Sequence, residues 1–139
     1  MADITVTAAK VAVVHPHNAE IYDFIADEAI TAGQAVYQLS NGKVGVADAN
    51  AAGKQQFRGI ALKSVGAGQA VSILKRGVIE GFTLTSLNRD VPVYLSDTAG
   101  ALADAAGTMT VNCGRVMSLS DANLTKALYI DADWLRIWA

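Results

Sequence analysis

Ala35-Val36-Tyr37-Gln38-Leu39-Ser40-Asn41-Gly42-Lys43-Val44-Gly45-Val46 decides the fold class. Five residues rich in strand formers lead into Ser-Asn-Gly-Lys, and a second short apolar run returns. Asn-Gly is the strongest short hairpin signal, because both central positions of a type I′ turn need positive φ. Residues 35–39 and 44–46 are therefore expected to be paired strands. Outward from this hairpin, Gly and Asn recur every eight to twelve residues or so, the spacing of short strands in a sandwich or barrel. Residues 49–56 form a small-residue loop, 57–65 are strand-like, and Gly66-Ala67-Gly68 turns the chain. Residues 70–82 alternate again, interrupted by Gly77, and a glycine inside a strand marks a bulge or a barrel corner.

The pattern then repeats. AGQAV occurs at 32–36 and 67–71. Val36-Tyr37, Leu39-Ser40 and Val46-Ala47-Asp48-Ala49 are echoed by Val93-Tyr94-Leu95-Ser96 and Leu102-Ala103-Asp104-Ala105. Gly59-Ile60-Ala61-Leu62 corresponds to Gly114-Arg115-Val116-Met117, and residues 69–74 align with 126–131. Each half reads strand, turn, strand, loop, strand, turn, strand, the signature of a duplicated unit. Neither half can cover its apolar face alone. The fold class expected is all-β, a compact barrel or sandwich built from a loosely duplicated four-strand unit, with at most one short helix.

Residues 1–18 differ. Ile4, Val6 and Ala8 alternate with polar residues, and Val11 and Val13 follow, but no turn residues fold the stretch back on itself. It ends at His15-Pro16-His17-Asn18, where proline drives His15 into an extended conformation. The expected organisation is an extended N-terminal arm over 1–18 and a single β-rich domain over 19–139. A lone strand must join its own sheet or another protein's. Residues 19–30 (AEIYDFIADEAI) suit a short helix or a strand, since Ile21, Phe24 and Ile25 fit one period and Ile21, Asp23 and Ile25 the other.

The 139 residues suit one domain with a real core, and 52% are hydrophobic, which excludes extended disorder. Charged residues make up 17%, below the usual quarter, as expected of a surface that buries itself against partners. A net charge of −2, with Lys75-Arg76 the only adjacent basic pair, argues against nucleic-acid binding. No stretch reads as a secretory signal or membrane span, so synthesis and folding in a cytosol are expected. The single cysteine, Cys113, cannot form an internal disulfide and reads as a core residue.

Catalytic constellations are weak. His15 and His17 could share a metal with Asp23, but no further His completes a site, so no metal or other cofactor is expected. Asp131 and Asp133 share a strand face, where they suit solvent or pairing with Arg136 or Arg115. Asp97, Asp104 and Asp121 sit in turn contexts. No Gly-x-Ser-x-Gly elbow exists, and Gly42-Lys43 and Gly53-Lys54 lack the flanking residues of a phosphate loop. An enzyme is not supported. The tail Trp134-Leu135-Arg136-Ile137-Trp138 supplies candidate interface residues Trp134, Ile137 and Trp138, since aromatics and arginine anchor interfaces.

At VSILKRGVIEGF (71–82), PVYLSDTAGALADAAG (92–107) and LYIDADW (128–134), the chain resembles the tailed-phage capsid decoration (cement) proteins. The likeness extends to ITAGQAVYQLSNGKVGVADA (30–49) and GIALKSVGAGQAV (59–71). Members are often labelled RecA/RadA-like recombinases, a label at odds with the missing phosphate loop. The resemblance implies a homotrimer on the outer capsid surface of a virion, assembled in the host cytoplasm. Its partner would be the major capsid protein, with neither nucleic acid nor membrane engaged directly. It further implies an arm reaching onto the shell, here Ile4, Val6, Val11 and Val13. The competing expectation is a virion- or tail-associated module that recognises a carbohydrate or protein.

Overall fold

The computed structural model describes residues 2–139, and they form an antiparallel all-β protein with two short 3-10 turns, Ala8–Lys10 and Pro16–Asn18. The strands are β1 (Ala12–Val14), β2 (Glu20–Ile25), β3 (Ala35–Gln38), β4 (Val44–Val46), β5 (Phe57–Ala61), β6 (Ala70–Glu80), β7 (Pro92–Leu95), β8 (Leu102–Ala103), β9 (Asn112–Ser118) and β10 (Lys126–Asp131). The expected hairpin is β3–β4, with Gly42 at φ +90° and the Asn41 Oδ1 accepting the Lys43 N–H. Residues 19–30 form no helix. Their strand period wins because six of them pair along β6.

The duplication is visible in the pairing. The first unit runs β4-β3-β5-β6 across the sheet and the second β8-β7-β9-β10, the same order from the same chain sequence. Both units shift register at equivalent points, between Val36 and Tyr37 opposite β5, and between Val93 and Tyr94 opposite β9. Gly59 faces Val36 and Gly114 faces Val93 at those points. A Cβ on Gly59 would lie 2.3 Å from the Leu74 carbonyl oxygen, and one on Gly114 would lie 1.9 Å from that of Tyr129. Leu74 and Tyr129 are thus equivalent. The last strands match two residues away from the sequence alignment of 69–74 with 126–131, on the same face.

β6 is the hub. Ile73 pairs with both β2 and β5, Arg76 with both β2 and β10, and Ile79 with both β1 and β10. β5 and β10 therefore lie end to end along one edge of β6, and β2 and β1 along the other. Gly77, at φ +149°, marks the changeover, with Ala19 and Leu74 packed 3.0 and 3.1 Å from where a Cβ would stand.

Residues 2–18 lie on the body and do not extend from it. The Ile4 N–H donates to the Leu102 carbonyl (2.8 Å), Asp3 bridges Ala103 of β8, and Val6 bridges Phe82 beyond β6. This segment covers the outer edge of the second unit, as Ala26 and Asp27 cover the first at Val44. Gly33 and Gly81 make room for it, since a Cβ there would meet the Val6 side chain at 2.5 Å and the Val11 backbone at 2.8 Å.

One core is shared by the two units: Phe57, Ile60 and Leu74 pack with Ile79, Leu95, Leu102, Leu128 and Ile130. Each such side chain contributes about 1.5–3 kcal/mol by leaving water. A second cluster of Ile30, Val36, Val44, Val71 and Ile73 lines the other face of the first unit. Strands β3, β5 and β6 are thus covered on both faces. That explains their apolar runs where simple alternation would mean one wet face.

Candidate interaction surface

The structure scatters the residues expected to face a capsid. Ile4 is a core residue, and Val11 and Val13 are half-buried and packed against the same core. Val6 is half-buried, its methyl against Gly33. Four side chains that help hold the body together form no presented arm.

The tail is different. Trp138 is buried, and its backbone is fixed on both sides: its N–H donates to the Gln56 Oε1 (3.0 Å), and its carbonyl accepts from Gln55 (3.1 Å) and Gln56 (2.8 Å) side-chain amides. The Trp134 indole N–H donates to the Arg58 carbonyl (2.8 Å), and its ring packs on Tyr22 with centroids 4.9 Å apart. Between these anchors, Leu135 is 96% exposed and Ile137 86% exposed. Two tryptophans thus hold a short segment that presents two bare aliphatic side chains to solvent. Of the three tail residues singled out by sequence, Ile137 faces outward, Trp134 is half-buried and Trp138 belongs to the core. Leu135 was missed. Alternation with the tryptophans was the signal that could have found it.

Beside the tail lies an open cleft of about 520 Å³, lined by Lys75, Arg76, Asn112, Arg115, Tyr129, Asp131, Asp133, Arg136 and Trp138. Its charges are mixed. Glu20 meets Arg76 at 2.9 Å and Lys75 at 3.7 Å, and Arg115 meets Asp90 at 3.8 Å. Arg136 stacks over Trp138, 4.1 Å from the ring centroid. Of the two placements expected for Asp131 and Asp133, solvent and pairing with Arg115 or Arg136, the structure has solvent: both are exposed, Asp133 lies beyond the end of β10, and no such ion pair forms among the described residues. Asp133 instead caps the Leu135 N–H (3.3 Å), and Asp131 lies opposite Arg76 in the ladder.

Other candidates resolve into structural roles. Cys113 is buried, and that burial raises its thiol pKa well above the ordinary value, which keeps it neutral and unreactive. Asp97 and Asp121 accept hydrogen bonds from Thr108 and Thr125, backbone and hydroxyl alike, and Asp104 accepts the Ala2 N–H. The Thr125 hydroxyl is the main cause of a lowered Asp121 pKa. His15, expected to be extended before Pro16, is instead left-handed (φ 59°), capping a 3-10 turn that contains His17, and both imidazoles are exposed. No group of three or more metal-ligating side chains converges among the described residues.

Comparison with family models, with curated proteins and with solved structures found no match for this chain.

Proposed function

We propose that the chain is a structural decoration protein of a tailed-phage head, trimeric, bound to the outer capsid surface and bridging coat subunits of the expanded shell. The observation that carries this reading is the anchored tail. Leu135 and Ile137 are held out by Trp134 and Trp138 on a rigid body, so little conformational entropy opposes their burial in an interface. Two bare aliphatic side chains close together on one anchored segment offer a partner an apolar contact that is already positioned. The sequence resemblance supplies the identity of that partner.

The mechanism is mechanical. A core shared by the two units resists deformation, and three copies joined through the tail present three equivalent contacts to the shell. Each contact can be modest, because linking sites raises avidity by factors of roughly 10² to 10⁴. The coat contact itself is reassigned from the N-terminal arm, whose residues 2–18 lie on the body.

A second reading, a module that recognises a carbohydrate, is favoured by the cleft, where Asn112, Asp131 and Asp133 flank the part-exposed Tyr129. Titration of the protein with undecorated expanded heads and, separately, on a glycan array distinguishes the two. Saturable binding to heads supports decoration. Glycan binding lost on Tyr129→Ala, with no affinity for heads, supports the module.

A further inference from the structure

The edge of β6 that carries β1 and β2 ends in open strands. Elsewhere the outer edges are covered, β8 by residues 2–4 and β4 by Ala26 and Asp27. The phase of β2 follows from its neighbours. The Leu62 N–H donates to the Ser72 carbonyl (2.9 Å), so Ser72 and Leu74 turn their backbone groups toward β5. Val71 and Ile73 then turn theirs toward β2, opposite Phe24 and Tyr22. The Ala26 N–H donating to the Gln69 carbonyl (2.9 Å) keeps that phase. The N–H and C=O groups of Ile21, Asp23 and Ile25 therefore point away from the sheet. The Ile25 carbonyl meets β4 through the Ala26–Val44 bridge, while the N–H and C=O groups of Ile21 and Asp23 have no backbone partner among the described residues.

Natural edge strands are commonly guarded by Lys, Pro or extreme shortness. β2 is six residues long, carries neither Lys nor Pro, and exposes Ile21, Tyr22 and Ile25 by about two-fifths each. Its charge is one-sided. Residues 19–30 hold Glu20, Asp23, Asp27 and Glu28 with no Lys or Arg, and only Glu20 meets a cation among the described residues. A second copy of β2 would bring more carboxylates to the same edge, so self-pairing is electrostatically disfavoured.

We infer that β2 is an acceptor edge for an extended segment of a partner protein in which Lys or Arg alternates with apolar residues. Backbone hydrogen bonds to Ile21 and Asp23 would supply the register, and the carboxylates would select the charge. Where the decoration reading holds, this edge is where a coat-protein strand adds.

The test uses the full chain and two short synthetic peptides, one alternating Lys, Thr and Val, the other with Glu in place of Lys. Amide hydrogen exchange is followed by NMR at Ile21 and Asp23. With the Lys peptide at ten times its Kd, exchange at these two amides should slow about tenfold, and the Glu peptide should leave them unchanged. Asp23→Pro removes an outward N–H and leaves the backbone ladder to β6 in place, with loss of the Ser72 hydroxyl bond to the Asp23 carboxylate, and should abolish the protection. Asp23→Lys, which cannot fail through backbone strain, should weaken the Lys peptide and admit the Glu peptide. Equal protection by both peptides, protection by neither, or protection that rises with protein concentration alone would overturn the inference. No capsid enters the experiment, so its failure removes the acceptor edge and leaves the decoration reading to be judged on heads.

Discussion

Replacing Gly114 by Ala tests the duplicated architecture at its tightest point. The added Cβ would stand 1.9 Å from the Tyr129 carbonyl oxygen, 2.9 Å from its carbon and 3.1 Å from the Ile130 Cα, all backbone atoms. β10 must retreat by about 1 Å, but β6 holds it from the other side through Tyr129 opposite Val78. Overpacking of this kind costs about 1–3 kcal/mol, and each ladder hydrogen bond strained between β9 and β10 adds about 1 kcal/mol. A loss of about 3–4 kcal/mol is expected, and at about 2–4 °C per kcal/mol that lowers Tm by about 10 °C. Gly59→Ala, at the equivalent point of the first unit, should cost at least as much, since φ +147° adds backbone strain to a 2.3 Å approach. Gly42→Ala is the control, with nothing within 4 Å, so only the left-handed backbone opposes it, at about 1–2 kcal/mol. Urea denaturation of the three variants measures this. A Gly114→Ala protein that loses no more stability than Gly42→Ala would refute the close approach of β9 to β10.

Deleting residues 2–18 should destabilise the body, because Ile4 alone is worth about 1.5–3 kcal/mol of burial and β1 leaves β6 bare. Circular dichroism of a stable truncated protein with unchanged Tm would contradict the packing described. Trp138→Ala should cost about 3–5 kcal/mol in chemical denaturation. Leu135→Ser with Ile137→Ser should leave the isolated chain within about 0.5 kcal/mol of wild type, as exposed positions do. Cys113 sets a pH dependence. Its folded pKa is raised above the unfolded value, so its contribution is present at neutral pH and is lost as pH climbs past the ordinary thiol value of 9.0. Stability should fall by up to about 1.4 kcal/mol per pH unit there, and Cys113→Ala should remove that component of the slope.

Local chemistry made much of this fold legible. Asn41-Gly42 announces its hairpin because positive φ leaves few residue choices, and Gly77 announces the corner of β6 for the same reason. The repeat of Val36-Tyr37 as Val93-Tyr94 survives because both pairs sit at the same register shift. The offset of two in the last strand arose because a shift of two keeps every apolar residue on its face, so composition alone does not choose. Only Gly59 and Gly114, pressed against Leu74 and Tyr129, fix it. The course of residues 2–18 was hidden for another reason. Asp3 meets Ala103 far along the chain, and no local period records so distant a contact. Its trace in the sequence lies elsewhere, in Gly33 and Gly81. In the tail, two tryptophans drew attention as interface anchors, although the Trp134 indole N–H on the Arg58 carbonyl and the buried Trp138 ring hold the segment inward. The aliphatic residues between them carry the exposed surface.

The most direct measurement is solution mass by light scattering for the wild type and for the Leu135→Ser, Ile137→Ser double variant, each then mixed with undecorated expanded heads. The account predicts a wild-type trimer that saturates the heads, and a folded variant that is monomeric and binds them weakly or not at all. A wild-type monomer that ignores the heads would contradict the decoration reading, and a variant that still forms the trimer would contradict the role given to the tail.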